Sequence, residues 1–320
     1  MVEEANEVSP TNIFAPVSTP AASIFGLSVF VFSTVAGIFV VVFALLVYAV
    51  VRFRSQRSSS TEPAQIYGST QVELAWTVIP VLIVVALFLA ATRVILAVQN
   101  APHPASALNI VVIGHQYWWE YRYPQLNIVT ANELHVPVSD PAHPTPTFLT
   151  LLSADTDHSF WVPRLGGKTD LIPNHPNQMW IDPHQTGVFL GQCAQYCGTA
   201  HAKMLIRVYV QPREDFERWV HEQQQLPQSP ESAGKRVFES TACVNCHTIS
   251  GTPAIGKFGP DLTHLMSRDT IAAGAAPNTP EALRLWIKNP DAIKPGSKMP
   301  AMGLSDQDLD AVTAYLVTLR

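Results

Sequence analysis

Charged side chains are scarce in this 320-residue chain, at 14% of the residues, and basic residues do not outnumber acidic ones. The net charge of −5 provides no basic field of the kind that nucleic acid requires, which excludes nucleic-acid binding. The four cysteines are too few to cross-link a secreted scaffold of this size. Hydrophobic residues make up 47% of the chain, and the mean hydropathy of +0.14 argues against disorder and predicts membrane segments.

Two long stretches contain no charge. None occurs between Glu7 and Arg52, where residues 24–51 are almost wholly apolar, and a second uncharged run follows Glu73. Because a hydrocarbon core is about 30 Å thick, we expect membrane-spanning helices at about residues 24–51 and 74–98. A signal peptide is the alternative for the first run, but that run is too long and no basic segment precedes it.

Basic residues cluster between the two runs and predict the orientation. The connecting loop holds three arginines against one acidic residue, whereas only acidic residues precede the first run. Since positive loops stay on the inner face, both termini and the region after residue 98 are expected on the periplasmic or outer face of a bacterial-type plasma membrane. Residues 99–230 carry 11 acidic and 7 basic groups, a balance that would attract a basic soluble partner.

The region from Leu108 to about Val210 consists of short alternating or β-branched runs separated by Pro, Gly, Asn and Asp. This pattern predicts an antiparallel β-sandwich or barrel. Its loops carry two thiols, two imidazoles and one thioether, on Cys193, Cys197, His158, His201 and Met204.

Three kinds of site could use these soft side chains. Zinc would accept the thiols and imidazoles but has no use for the thioether. A disulfide between the cysteines would leave the histidines and the methionine unexplained. Two cysteines could instead bridge two copper ions, each completed by one imidazole and one weak ligand, either the thioether or a backbone carbonyl.

The cysteine motif, C-x-x-x-C-G-x-x-H-x-x-M with an upstream D-x-x-H-S-F, resembles the CuA domain of cytochrome c oxidase subunit II. The resemblance extends to three further segments, which are Glu73 to Pro80 (E-x-x-W-T-x-x-P), Gly114 to Trp119, and Gly167 to Pro173. It implies a cupredoxin fold and a dinuclear copper centre held by His158, Cys193, Gln195, Cys197, His201 and Met204.

Two positions depart from the family pattern. Gln195 replaces the usual glutamate, whose backbone carbonyl binds copper and whose carboxylate helps to hold Mg²⁺ or Mn²⁺. The backbone carbonyl of Gln195 can still bind copper, whereas the sequence does not decide whether a Mg²⁺ site is present. Tyr117 replaces the usual electron-accepting tryptophan, so electrons are expected to arrive through Tyr117, Trp118 or Trp119. The resemblance also places Glu73 at the mouth of a proton path in a partner subunit, with a carboxylate that reaches the membrane surface as the alternative.

A second cysteine pair follows a stretch rich in Gln, Pro and Ser at residues 223–232, which we expect to be a linker. Cys243, Cys246 and His247 form C-x-x-C-H, the spacing at which two cysteines form thioethers to haem c and the histidine binds the iron. A redox-active C-x-x-C and half of a zinc site are the alternatives, but neither requires the adjacent His247.

The second axial ligand of the haem iron could come from any of four downstream side chains, His264, Met266, Met299 and Met302. We expect Met299, because it lies after a loop with Pro and Gly and before the last helix, where small class I cytochromes c place this ligand. Helices are expected from Thr279-Pro280 to Lys288 and from Ser305 onward. The second of these would bury Leu309, Val312, Leu316 and Leu319.

The sequence therefore predicts a membrane-anchored multidomain protein with a two-helix transmembrane hairpin, an all-β cupredoxin sandwich and an all-α class I cytochrome c domain. The expected boundaries are a tail at 1–22, the hairpin at 23–98, the CuA domain at 99–222, the linker at 223–232 and the cytochrome domain at 233–320.

The expected function is that of subunit II of a haem-copper terminal oxidase, with no catalytic oxygen site in this chain. Electrons would pass from haem c through the copper pair to subunit I, where O₂ is reduced to water with proton translocation. Expected partners are subunit I, other membrane subunits, lipid, and a c-type cytochrome or upstream respiratory complex as donor. The alternatives are the electron-accepting subunit of a copper-type nitric oxide reductase and a membrane-tethered carrier without an attached enzyme.

Overall fold

The computed structural model describes residues 9–54, 65, 67–101, 103–104, 107–227 and 229–320. Residues 23–101 form one compact unit, and the rest of the described chain forms another. The acidic tail at residues 1–8 and the loop at residues 55–64 lie outside the described residues. The charges from which the orientation is predicted lie largely in those two segments.

Two long apolar helices occupy the first third of the chain, α1 (Thr19–Arg52) and α2 (Thr70–Gln99). Both are long and apolar enough to cross a membrane, and both predicted spans fall inside them. Helix α2 continues through Pro80, which a membrane helix tolerates. Glu73 lies in its first turn, where a carboxylate interacts favourably with the helix dipole.

Within the described residues, ten strands form the next domain: β1 (Leu108–His115), β2 (Trp118–Tyr123), β3 (Ile128–Ala131), β4 (Glu133–Pro137), β5 (Thr147–Ser153), β6 (His158–Trp161), β7 (Thr169–Leu171), β8 (Asn177–Ile181), β9 (Gly187–Cys193) and β10 (Leu205–Gln211). They make two five-stranded sheets with the orders β3-β2-β1-β5-β8 and β4-β10-β9-β6-β7. The predicted sandwich is therefore present.

The sheets are mixed rather than purely antiparallel as the sequence pattern suggested. Strand β1 pairs in parallel with β5, and β4 pairs in parallel with β10. Alternation of apolar and polar residues reports which face of a strand is buried, but it carries no information about the direction of the neighbouring strand. In β10, for example, Ile206, Val208 and Val210 are buried as their spacing predicts.

A helix closes one side of the sandwich. Helix α3 (Arg213–Gln223) buries Phe216 and Trp219 against it. The Trp219 ring stacks on His135 at 4.4 Å between centroids and lies 5.3 Å from the Tyr123 ring. The helix ends inside the predicted linker at its first residue, and Ser232 caps the following helix, so residues 224–231 connect the two. The domain boundaries themselves stay predictions.

The C-terminal domain is mainly helical. It contains α4 (Ala233–Ser240), α5 (Cys243–Cys246), a two-stranded ladder of β11 (Thr270–Ile271) and β12 (Ala276–Pro277), α6 (Pro280–Lys288), α7 (Pro290–Ile293) and α8 (Asp306–Leu316). The expected caps are present, since the Thr279 hydroxyl accepts from the Ala282 amide and the Ser305 hydroxyl from the Asp308 amide. The four apolar residues expected in the core of the last helical segment are all buried.

Helices α4 and α8 cross in direct backbone contact. A Cβ atom added at Gly234 would lie 1.9 Å from the carbonyl oxygen of Ala311, so only glycine permits this approach. Phe238 and Tyr315 pack beside the crossing, with ring centroids 6.1 Å apart. This crossing holds the first and last helices of the domain together.

Replacement of Gly234 by alanine should separate α4 from α8. The added methyl group overlaps backbone that cannot rotate away, so the cytochrome domain should lose about 1–3 kcal/mol of unfolding free energy. Denaturant unfolding of the full chain, followed by helical circular dichroism, would measure the loss. Gly166→Ala is the control, because its Cβ would meet Met179 Cε at an ordinary 3.4 Å; equal stability of both variants would contradict the prediction.

Candidate metal centres

The loop between β9 and β10 carries most of the predicted copper ligands. Cys193 is the last residue of β9, and its amide donates to the Met204 carbonyl at 2.9 Å, which joins the two ends of the loop. Antiparallel pairing of Gln192 with Leu205 continues the same ladder. The loop is thus closed at its base, and its side chains turn back toward one another.

The soft donor atoms of this loop lie close together. The Cys193 and Cys197 Sγ atoms are 3.9 Å apart, and the Cys193 Sγ lies 3.2 Å from the carbonyl oxygen of Gln195. The Cys197 Sγ lies 3.6 Å from His201 Nδ1 and 3.9 Å from Met204 Sδ. Both thiols are buried and unpaired by any disulfide.

His158 lies on β6, the strand next to β9, and its ring extends into the same cluster. Its Nδ1 lies 3.9 Å from the Cys193 Sγ, while its Nε2 bonds to the Asp155 carboxylate at 2.8 Å. That second bond fixes the ring so that Nδ1 faces the thiols. Gly114 makes room for the ring, because a Cβ there would lie 2.8 Å from His158 Cδ2.

Asp155 stays ionised beside this histidine. Burial alone would raise the pKa of Asp155, but hydrogen bonds from His158 and from the Gln116 amide outweigh burial and hold it below its usual value. Two thiols, two imidazoles, a thioether and a carbonyl, mostly buried, fit copper better than zinc or a hard cation.

The C-x-x-C-H motif opens onto a cavity lined by residues of the C-terminal domain and of the sandwich. The volume of the cavity is about 140 Å³, and it is continuous with a wider open cleft. It is lined by Cys246, His247, Leu283, Trp286 and Met299 among others. The His247 Nδ1 donates to the Pro260 carbonyl at 2.7 Å, which leaves Nε2 for a ligand bond. A Cβ at Gly259 would lie 2.6 Å from His247 Cε1, so glycine is required beside the ring.

The four candidates for the second axial ligand separate in the structure. Met299 lines the cavity together with His247, whereas His264, Met266 and Met302 are not among its lining residues. His264 is buried elsewhere in the domain. The mainly apolar lining of the cavity, with a thiol, an imidazole and a thioether at its wall, fits a haem attached covalently at this motif.

The aromatic segment, residues 117–119, lies between the two clusters. Tyr117 and Trp118 line the cavity next to the C-x-x-C-H motif. The loop between β9 and β10, residues 194–204, is called the copper loop below. The Tyr117 hydroxyl accepts from the Thr199 amide of this loop at 3.0 Å. Trp119 points to the other side, with its ring 6.1 Å from the His158 ring.

Sequence reasoning missed two supporting residues of the copper loop. Asp155 belongs to the D-x-x-H motif, and its spacing three residues before His158 was the available signal. Gln116 donates from Nε2 to the Cys197 carbonyl at 2.6 Å, a contact across 81 residues that no local pattern shows. Glu73 belongs to the other compact unit, where it lies in the first turn of α2.

Comparisons with known proteins give consistent matches along the chain. The family "Cytochrome C oxidase subunit II, transmembrane domain" matches residues 9–94, its periplasmic domain matches residues 141–210, and "Cytochrome c" matches residues 231–320. Cytochrome c oxidase subunit 2 of Alkalihalophilus pseudofirmus is 33% identical over 290 residues, covering 88% of this chain and 82% of the relative. The Bacillus subtilis protein of the same name is 30% identical, covering 85% and 82%.

Among solved structures, the periplasmic domain of subunit II of the Bradyrhizobium japonicum cytochrome oxidase is similar over 38% of this chain and 96% of that domain. Its sequence identity is 31% and its TM-score 0.35.

Fold and site define a membrane-anchored electron-transfer subunit that joins a copper-binding sandwich to a cytochrome c domain. The chain belongs to the cytochrome c oxidase subunit II family. The predicted family, fold class and oxidase function are therefore confirmed, and the nitric oxide reductase and free-carrier alternatives are not favoured.

Asp155→Asn should weaken copper binding without removing a ligand atom. Loss of the charge loosens the bond that orients His158, and such supporting groups are typically worth about 10- to 100-fold in metal affinity. Copper retention by the full chain against a competing chelator measures the effect. Asp157→Asn, an exposed carboxylate two residues away, is the matched control. Equal copper retention by both variants would rule out this role for Asp155.

Proposed function

We propose that this subunit receives electrons at a haem c attached to Cys243 and Cys246, with His247 and Met299 as iron ligands. It passes them to a dinuclear CuA centre held by the copper loop and His158, and on to subunit I. The copper ligands in this proposal are His158, Cys193, Gln195 (carbonyl), Cys197, His201 and Met204. When bound, the haem and the copper pair supply one-electron chemistry in a shielded setting.

One observation carries the proposal, namely that a single segment touches both clusters. Tyr117 lines the cavity beside the C-x-x-C-H motif and also accepts a hydrogen bond from Thr199 in the copper loop. Electron transfer needs donor and acceptor to be close and held in place, and this arrangement supports both. Tyr117 and Trp118 are the proposed route from cavity to copper, and Trp119 supports His158 from the other side.

The protein's own residues tune the two sites. Asp155 fixes the ring of His158, and the Pro260 carbonyl fixes the ring of His247. The buried thioether of Met204 provides a weak ligand, which together with burial sets the copper potential. A sulfur and an imidazole on the haem iron favour a high potential, suited to delivering electrons toward oxygen.

The chain is membrane-anchored with a periplasmic domain. We further propose that it lies in a bacterial-type plasma membrane, with both termini outside and lipid around α1 and α2. Its electron donor would be a c-type cytochrome or an upstream respiratory complex.

Glu73 is proposed at the mouth of a proton path in subunit I. Gln195 offers a neutral amide where the family has a carboxylate, which weakens the case for Mg²⁺.

Metal analysis of the full chain in detergent tests the proposal directly. The expected result is two coppers and one haem iron per chain, with thiolate-to-copper absorption in the visible and near-infrared and a reduced c-type haem spectrum. Zinc in place of copper, or haem without copper, would refute it.

Met299→Leu should leave the haem attached but remove its sulfur ligand. The two thioether bonds do not involve Met299, so haem content should be unchanged. The haem potential should fall by on the order of 0.1 V, within the roughly 0.8 V range that axial ligands control. Redox titration of the full chain measures the shift, with Met302→Leu as the matched control. If Met302→Leu lowers the potential and Met299→Leu does not, the ligand assignment is wrong.

A further inference from the structure

The cytochrome domain lies against the sandwich within one compact unit, and two ionisable side chains are buried where they meet. Glu133, on β4 of the sandwich, is 1% exposed, and Lys294, which follows α7 of the cytochrome domain, is 3% exposed. Burial of a charge is costly unless hydrogen bonds replace the lost water. Both side chains find those bonds across the domain boundary.

Glu133 is held by three donors of the cytochrome domain. Its Oε2 accepts from the Asp269 amide at 3.0 Å, and its Oε1 accepts from the Thr270 amide at 2.9 Å and the Thr270 hydroxyl at 2.7 Å. Burial raises the pKa of Glu133, while these bonds and the charge of Arg268 oppose that shift. Both carboxylate oxygens therefore act as acceptors for the opposite domain.

Lys294 makes the reciprocal contact from the cytochrome side. Its Nζ donates to the Tyr117 carbonyl at 2.6 Å and to the Ala272 carbonyl at 2.9 Å. Burial lowers the pKa of Lys294 to about 7. The amine donates hydrogen bonds whether or not it carries the extra proton, so this link to the aromatic segment is present in both states.

The residues around Lys294 rest on the copper loop. A Cβ at Gly296 would lie 2.6 Å from Thr199 Cγ2, and Lys203 Nζ donates to the Ile293 carbonyl at 2.5 Å. Further along the boundary, Tyr209 donates from its hydroxyl to Asp269 at 2.7 Å. The contacts thus extend from the copper loop to the far edge of the sandwich.

These contacts cover the aromatic segment. Tyr117 is 7% exposed and Trp118 is 8% exposed, and Trp118 packs with Ala131 of the sandwich and Ala273 of the cytochrome domain. Tyr117 and Trp118 also line the cavity beside the C-x-x-C-H motif. An external donor approaching the copper from this side would meet the cytochrome domain first.

We propose that Glu133 and Lys294 are positioning residues that dock the cytochrome domain on the aromatic segment, so that haem-to-copper transfer proceeds from one fixed pose. This inference rests on the proposed function, since it concerns the step between those two sites. The residues act by holding the pose and do not carry the electron. Without them the domain would have to find the segment again before each transfer.

Flash photoreduction of the full chain in detergent, loaded with haem and copper, tests the docking. A ruthenium polypyridyl complex, excited by light and regenerated by a sacrificial amine, gives one electron to the ferric haem. That electron then moves to the oxidised copper pair, which appears as haem reoxidation matched by loss of the near-infrared copper band. In the unmodified chain we expect one phase whose rate does not change with added glycerol.

Glu133→Gln keeps the size of the side chain but sets an N–H group against donors that need an acceptor, and Lys294→Met removes both donated bonds. Loss of a hydrogen bond to a charged group lowers an equilibrium constant, here that of docking, by more than a factor of ten. Each variant should therefore slow the transfer about tenfold or more, and its transfer rate should fall as the viscosity rises. Tyr209→Phe, which removes one bond at the rim, should give a smaller effect in the same direction. Copper and haem spectra should be unchanged.

Two controls separate docking from general damage. Lys288→Met removes an exposed charge on α6 outside the cavity lining, and Thr313→Val removes a buried hydrogen bond inside the cytochrome domain. Both should keep the original rate and its independence of glycerol. If Glu133→Gln fails to fold or to bind its metals, Lys294→Met and Tyr209→Phe decide the question.

The outcomes distinguish this inference from the proposed function. No haem-to-copper transfer in the unmodified chain would refute the proposed function itself. Transfer in the unmodified chain with the same rate in Glu133→Gln and Lys294→Met would overturn the docking role alone. A slower transfer that stays independent of glycerol would also overturn it, because the variants would then alter the transfer step and not the pose.

Discussion

The antiparallel pairing of β9 with β10 is the constraint on which the copper site depends. It places Cys193 opposite the Met204 carbonyl and forces the intervening residues into a closed loop. The pairing fixes both ends of the loop, and inside it the two thiols lie 3.9 Å apart. The sandwich then adds His158 from the adjacent strand, so the ladder that stabilises the fold also gathers the ligands.

Much of the site could be predicted because its residues are close in sequence. Five of the six expected copper donors fall between Cys193, the last residue of β9, and Met204, and Cys243, Cys246 and His247 lie on one short helix and its cap. Helix caps at Thr279 and Ser305 followed from local chemistry alone. Strand direction did not, because β1 and β5 show the same alternation whether they run parallel or antiparallel.

The contacts between the domains could not be read from the sequence. Glu133 and Thr270 are 137 positions apart, and Lys294 and Tyr117 are 177 positions apart. A short stretch of sequence does not distinguish a buried glutamate on a strand from one at the surface, because it contains no information about the domain that covers the strand. The sequence predicted only a linker between the domains, whereas in the structure Gln223 and Ser267 form a hydrogen bond across the same boundary at 3.1 Å.

The segment that follows α7 limits how far Met299 can lie from Lys294. Lys294 touches the backbone of the aromatic segment, and Met299, the proposed haem ligand, follows it five peptide units later. A fully extended chain of that length reaches at most about 18 Å between Cα atoms. While Lys294 is in place, the peptide is a tether that caps the separation of Met299 from Lys294, however the remainder of the cytochrome domain turns. The covalent chain therefore keeps the proposed haem ligand within short reach of the aromatic segment.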